Sequence, residues 1–215
     1  MISLNKGEKP SILKEKEYEW TSELLSYIQN NQKVPETIKG RYRHSEIKSA
    51  LLDETYSKCA YCESKITHID HGDIEHIVPK SKLPSLTFDW SNLTIGCKRC
   101  NQNKGDYYDP ALPLLNPYED DPEKEIMFLG PLPTARNGCL KGRLTIQLLK
   151  LDRPELIERR SEHIKRIMPL IREYEKTEDD NFRKLLLQDI LEFIDPRNEY
   201  SYMTKQVLNN LAITG

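Results

Sequence analysis

Four of the chain's five cysteines fall into two Cys-x-x-Cys pairs, Cys59-Ala-Tyr-Cys62 and Cys97-Lys-Arg-Cys100. Two residues between thiols let a tight turn aim both sulfurs at one point. Two such turns predict a closed four-cysteine site, with zinc held at about 2.3 Å per Zn–S bond. The first residues, Met1-Ile2-Ser3-Leu4-Asn5-Lys6, contain no apolar stretch long enough for a secretion signal, so a cytoplasmic location with reduced thiols is expected. In such a compartment paired cysteines point to metal rather than to disulfides. A redox dithiol needs only one pair and leaves the second unexplained. With no open coordination position, the expected zinc is structural, and Cys139 is left as a spare thiol. Residues 63–96, between the pairs, exceed the usual spacing of a short zinc ribbon, so a substantial unit must fold inside them.

The rest of the chain divides around this centre into three regions, 1–56, 57–109 and 110–215. The first reads as helical: Leu13, Trp20, Leu24 and Ile28 recur at helical spacing, and a second helix is expected from about Ser45, carrying Ile47, Ala50 and Leu51. The central region holds the two cysteine pairs, three of the five histidines and short β-compatible runs such as Ile74–Val78. The third opens with a Pro-rich stretch from Asp109-Pro110 to Pro133. Helical spacing then returns at Ile157, Ile164, Met168 and Ile171, and again at Phe182, Leu186, Ile190 and Phe193, with Asp195-Pro196 expected to end that helix. No run of 18 apolar residues is present, which argues against a membrane span. The net charge of −2 argues against a protein that coats nucleic acid through bulk electrostatics but allows a local basic groove. Charge is uneven: four basic and no acidic residues lie from Arg136 to Lys150, and five acidic residues lie from Glu119 to Glu125.

Between the cysteine pairs runs Asp73-Ile-Glu75-His76-Ile-Val-Pro79, followed by Asn92-Leu93; directly after the second pair comes Asn101-Gln-Asn-Lys104. Phosphodiester hydrolysis needs a base for water, a divalent cation to neutralise charge on the phosphorus and leaving oxygens, and a grip on the backbone. His76 is the base candidate, because imidazole titrates near neutrality. Glu75 and Asn101 offer hard oxygen ligands suited to Mg²⁺ or Mn²⁺. Each alone is weak; their position between two zinc knuckles gives them weight. Asp73 shares a strand face with Glu75 and can ligate directly or through water. Lys104 is expected to face a phosphate, with Lys80 and Arg99 as further nucleic-acid contacts. Phe88 and Trp90 are expected to be core supports, His68 and His71 solvated, and His163 on a helix surface.

These elements, in this order, resemble the HNH (ββα-metal) endonucleases: Cys-x-x-Cys, an acidic residue before His-Ile-x-Pro, Asn-Leu, then Cys-x-x-Cys-Asn-x-x-Lys. The resemblance implies an α+β fold, with Asp73–Val78 as the first strand of a hairpin and a helix carrying Asn101, flanked by helical regions on both sides. It implies His76 as general base, Glu75 and Asn101 as holders of the catalytic ion, and Asn92 as the residue that pins the hairpin loop and orients His76. Glu75 stands where Asp is commoner, and Asn101 where His is commoner. Further stretches are similar to one subfamily: Phe88-Asp89-Trp90, Leu115-Asn116-Pro117, and Gly142-Arg143-Leu-Thr145-Ile146 through Asp152-Arg153. That subfamily includes the HNH nuclease component (PtuB-like) of Septu-type antiphage defence systems, encoded beside an ATPase. The expected function is metal-dependent cleavage of nucleic acid, DNA before RNA, leaving 5′-phosphate and 3′-hydroxyl ends, with an ATPase as candidate partner. The alternatives are an RNA nuclease, for example on tRNA, and a non-catalytic zinc adaptor, for which Glu75, His76, Asn92 and Asn101 would be superfluous. The apolar tail, Tyr200 to Ile213, is expected either to dock within the chain or to offer a surface to the ATPase.

Overall fold

The computed structural model describes residues 1–66 and 72–213; His68 and His71 lie outside the described residues. The N-terminal region forms helices α1 (Ser11–Gln29), α2 (Glu36–Lys39) and α3 (Ser45–Glu54). Leu13, Trp20 and Leu24 turn inward from α1, and Ile47 and Leu51 from α3, while Ile28 stays exposed. A short 3-10 turn, Arg41–Arg43, joins α2 to α3 and buries Tyr42.

In the centre, β1 (Asp73–His76) pairs antiparallel with β2 (Leu93–Gly96), with His76 opposite Leu93 and Asp73 opposite Gly96. Helix α4 (Lys98–Lys104) follows at once, giving the expected hairpin and helix, although β1 stops two residues short of Val78. Beyond it come α5 (Pro122–Glu125), a second hairpin of β3 (Ile126–Leu129) and β4 (Leu132–Ala135), and helices α6 (Leu140–Leu149), α7 (Pro154–Lys176), α8 (Asp180–Glu192) and α9 (Ser201–Asn210). The second hairpin lies inside the Pro-rich stretch, where its four-residue strands have no clear alternation to announce them. Among the described residues, no helix is long and apolar enough to cross a membrane.

The three regions share one core. Trp20 of α1 meets Phe88 edge to face at 5.6 Å, and the same buried cluster takes in Leu51, Leu93, Ile95, Leu115, Leu149 and Met203. Phe88 and Trp90 are buried supports, as expected, and the Trp90 indole donates to the carbonyl of Gly7 at 2.9 Å. Gly142 lets α6 press on α5: a Cβ there would meet the Glu125 carbonyl oxygen closer than any real contact allows.

The apolar tail docks within the chain. Tyr202, Met203, Thr204 and Leu208 of α9 are buried, and the Tyr202 hydroxyl donates to the Ile126 carbonyl at 2.6 Å. At its start the tail closes on the first cysteine turn: Ser201 donates to Glu63 at 3.0 Å, the Tyr200 and Ser64 hydroxyls meet at 2.9 Å, and the Lys58 ammonium donates to the carbonyls of Pro196 and Asn198.

This docking overturns the expectation of a surface histidine. The most buried residues of α7 are Leu156, Arg160, His163, Ile167 and Ile171; of the expected stripe, Ile171 is fully buried, while Ile164 and Met168 are half-buried and pack against the same clusters. His163 faces the Thr204 hydroxyl at 3.1 Å and meets the rings of Tyr200 and Phe193 edge to face. Arg160 is covered, with its guanidinium donating to the Leu151 carbonyl at 2.8 Å. Apolar periodicity cannot see a polar residue whose partner arrives some forty residues later in the chain, as Thr204 does for His163. Burial, helped by Arg166, holds the His163 imidazole below its usual pKa. Its folded pKa therefore lies under the unfolded value of about 6.5, so stability is full above that pH and is lost as pH falls below it. Denaturant midpoints between pH 7.5 and pH 5.5 should fall more steeply in the wild type than in His163→Gln; parallel slopes would show that His163 is not held neutral.

Candidate functional site

Two turns bring the four thiols together. The first is closed by the bridge between Lys58 and Lys65, with the Glu63 amide donating to the Cys59 carbonyl at 2.9 Å and Glu63 itself at positive φ. The Ala60 amide donates to the Ile95 carbonyl at 2.9 Å, which fixes this turn to β2. The second pair sits at the elbow between β2 and α4, where Cys97 is the N-cap and its sulfur accepts from the Cys100 amide at 3.5 Å. All four sulfurs lie within 4.8 Å of one another, and Cys62 and Cys97 are 3.9 Å apart. A tetrahedron with bonds of about 2.3 Å has edges of about 3.8 Å, so the donor set fits zinc. Hydrogen bonds from Cys100, Cys59 and Cys97 draw the Cys62 thiol well below its usual range, and burial pushes Cys59 well above. One guanidinium nitrogen of Arg153 lies 3.9 Å from the Cys100 sulfur, a cation beside what would be a dianionic zinc cluster.

The joint places α4 across the open face of β1. There the Asn101 amide donates to the Asp73 carboxylate at 3.2 Å. Two residues along the strand, Glu75 is buried and accepts from the Lys104 ammonium at 2.8 Å, and that ammonium also donates to the His76 carbonyl at 2.8 Å. Burial pushes the Glu75 carboxyl up, against the pull of Lys104. Lys104 is therefore corrected from a phosphate contact to an internal brace: its side chain is only 2% exposed, because α4 packs it onto β1. Tyr61, from the first cysteine turn, ends in a buried hydroxyl with no hydrogen-bond partner among the described residues, and burial together with the nearby Glu75 carboxylate keeps that hydroxyl protonated. The oxygens of Asp73, Glu75 and Asn101, with this orphaned hydroxyl nearby, suit a hard divalent ion that keeps part of its water shell.

His76 closes β1 and turns the other way. One ring nitrogen, Nε2, lies 3.0 Å from the Thr87 carbonyl, and the Tyr42 ring meets the imidazole edge to face at 4.7 Å. A carbonyl only accepts, so Nε2 carries the proton and Nδ1 keeps its lone pair. Burial, with repulsion from Lys80, Lys104 and Arg43, lowers the pKa of His76 to about 4, so the ring is neutral at physiological pH.

Asn92 pins the loop, with Oδ1 accepting from the Val78 amide at 2.7 Å and Nδ2 donating to the Val78 and Leu86 carbonyls at 3.0 Å each. Among the described residues the Asn92 side chain bonds only to loop backbone, and Thr87, next to the Leu86 carbonyl that Asn92 holds, makes the hydrogen bond to the imidazole. Lys80 is exposed and donates to the Tyr42 hydroxyl at 2.7 Å, while exposed Arg99 faces Glu155 of α7 at 3.8 Å. No sequence signal points to Tyr42, which lies outside the motif, or to Thr87, which acts through its backbone.

Residues 59–107 match the family model for HNH endonuclease. The chain carries an HNH endonuclease domain. Its relatives include the Septu protein PtuB of Bacillus thuringiensis, 33% identical over 153 residues, covering 71% of this chain and 55% of the relative. The Septu protein PtuB of Bacillus mycoides (strain KBAB4) is 31% identical over 157 residues, covering 59% and 53%. A retron Vc95 putative HNH endonuclease of Vibrio cholerae serotype O1 biovar El Tor is 30% identical over 129 residues, covering 53% and 61%. The chain thus spans about half the length of the PtuB relatives it matches.

If the HNH domain hangs on the thiol joint, the protein should retain about one zinc per chain after exhaustive dialysis. Cys100→Ser should lose both the zinc and the fold of the centre, because structural zinc supplies folding free energy on the order of 10 kcal/mol. Folded wild-type protein free of zinc would overturn this assignment.

Proposed function

We propose that this chain is a metal-dependent HNH endonuclease that hydrolyses phosphodiester bonds in DNA. The observation that carries the proposal is the state of His76: a neutral imidazole, its Nε2 proton committed to Thr87, beside a hairpin and helix that collect Asp73, Glu75 and Asn101. In this reading the Nδ1 lone pair takes a proton from water as the water oxygen attacks phosphorus. Thr87 and Tyr42 hold the ring so that this lone pair keeps one direction. Asp73, Glu75 and Asn101 hold a Mg²⁺ or Mn²⁺ ion. When bound, that ion supplies charge neutralisation at the phosphorus oxygens and the leaving 3′ oxygen. Lys104 keeps the Glu75 carboxylate in place, and Asn92 keeps the loop that presents Thr87. Lys80 contacts the backbone of the nucleic acid, and Arg99 adds a second contact along the strand. Products carry 5′-phosphate and 3′-hydroxyl ends.

The likeness to Septu protein PtuB and to a retron HNH protein supports a place as nuclease effector in antiphage defence; a cytoplasmic location and an ATPase as partner belong to the same reading.

The test is cleavage of supercoiled plasmid and of total RNA, each with and without Mg²⁺ or Mn²⁺. His76→Ala should cut at least about a hundredfold more slowly while keeping its zinc. Activity within a few-fold of wild type would remove His76 as the base. Asn101→Ala should raise the Mg²⁺ concentration needed for half-maximal cleavage; an unchanged metal curve would place that ligand elsewhere. Cleavage of RNA alone would shift the substrate.

A further inference from the structure

The motif accounts for the base and the ion but leaves the negatively charged substrate without a seat at His76. Lys104 is committed to Glu75 and to the His76 carbonyl. The available cations at the base are Lys80, just after the motif's Pro79, and Arg43, from outside the motif. Tyr42, buried in the turn between α2 and α3, carries both on its ring: the Lys80 ammonium 4.3 Å from the ring centroid and the Arg43 guanidinium carbon 5.0 Å from it. Its hydroxyl accepts from Lys80 at 2.7 Å, and the same ring meets His76 at 4.7 Å. Both cations are exposed, and among the described residues neither forms an ion pair with a carboxylate. Two cations stacked on one ring that itself packs against His76 make a local positive field in a chain of net charge −2.

We propose that Arg43 and Lys80, both seated on the Tyr42 ring, grip the phosphate to be cut, so that the N-terminal region completes the nuclease site. This rests on His76 being the nuclease base. Arg43 suits the task because its planar fork can take two oxygens of one phosphate. Lys80 adds a point charge whose position the Tyr42 hydroxyl fixes. Tyr42 is a positioning residue: it reaches the substrate only through the groups it holds.

The experiment measures binding of the full chain to a short duplex DNA by fluorescence anisotropy across a salt series, in the His76→Ala background so that nothing is cut. Adding Arg43→Ala should weaken binding and lower the slope of log affinity against log salt by about one, the value for one lost phosphate contact. Arg43→Lys should restore the slope but not the full affinity, since a lysine keeps the charge without the fork. In the active chain, Tyr42→Phe keeps the ring on His76 but frees Lys80, and should raise KM several-fold with a smaller change in kcat. Zinc content and melting temperature report whether each variant is folded. An Arg43→Ala slope equal to that of its parent, or no measurable binding by the parent, overturns the inference. A His76→Ala chain that still cuts would instead fail the underlying reading, and the salt slopes keep the two failures apart.

Discussion

Four thiolates packed within one coordination shell repel one another and cannot stay together without a cation between them, and everything at the candidate site hangs from that requirement. The first cysteine turn is bonded to β2 through Ala60 and Ile95, and the second is the elbow from β2 into α4. A zinc ion held by these sulfurs would fix the angle between strand and helix at the one point where a small error would be amplified along α4. Seven residues of helix are enough to carry Asn101 to Asp73 and Lys104 to Glu75. Arg153 and the tail residues around Ser201 press on the same joint from outside. The third region thus supports the centre without entering its chemistry.

The buried pair of Lys104 and Glu75 is better understood as placement than as stability. Taking both charges out of water costs several kcal/mol per ion, and the attraction between them returns only part of that. What the pair secures is direction. The ammonium spans from Glu75 to the backbone of His76, so the carboxylate and the imidazole are held in one frame even though their side chains leave the strand on opposite faces.

The hairpin and helix are legible in the sequence because the motif around the cysteine cluster resembles the HNH family, and the cluster itself because it depends on residue types at fixed spacing. The same logic places Leu13, Trp20, Ile47 and Leu51 in the core. It fails where a residue's role depends on a partner far along the chain. Lys104 reads as a basic residue on a short helix, and only the packing of α4 on β1 shows that it is enclosed. His163 reads as surface because nothing in α7 announces that α9 will return over it. Asn92 is legible as a structural residue, yet its partners are not, since loop carbonyls take its bonds and another carbonyl, that of Thr87, orients the imidazole. Such backbone roles leave no trace in residue identity.

Tyr42 lies 17 residues before the stretch that matches the HNH domain, whose first residue is Cys59. The boundary of the recognisable module and the boundary of the working site are therefore different. Moved alone into another protein, residues 59–107 would take along His76, Asp73, Glu75, Asn101 and all four sulfurs, but leave behind the ring that stands against the imidazole. Any host that receives the module must therefore supply its own side chain to stand where Tyr42 stands against the imidazole.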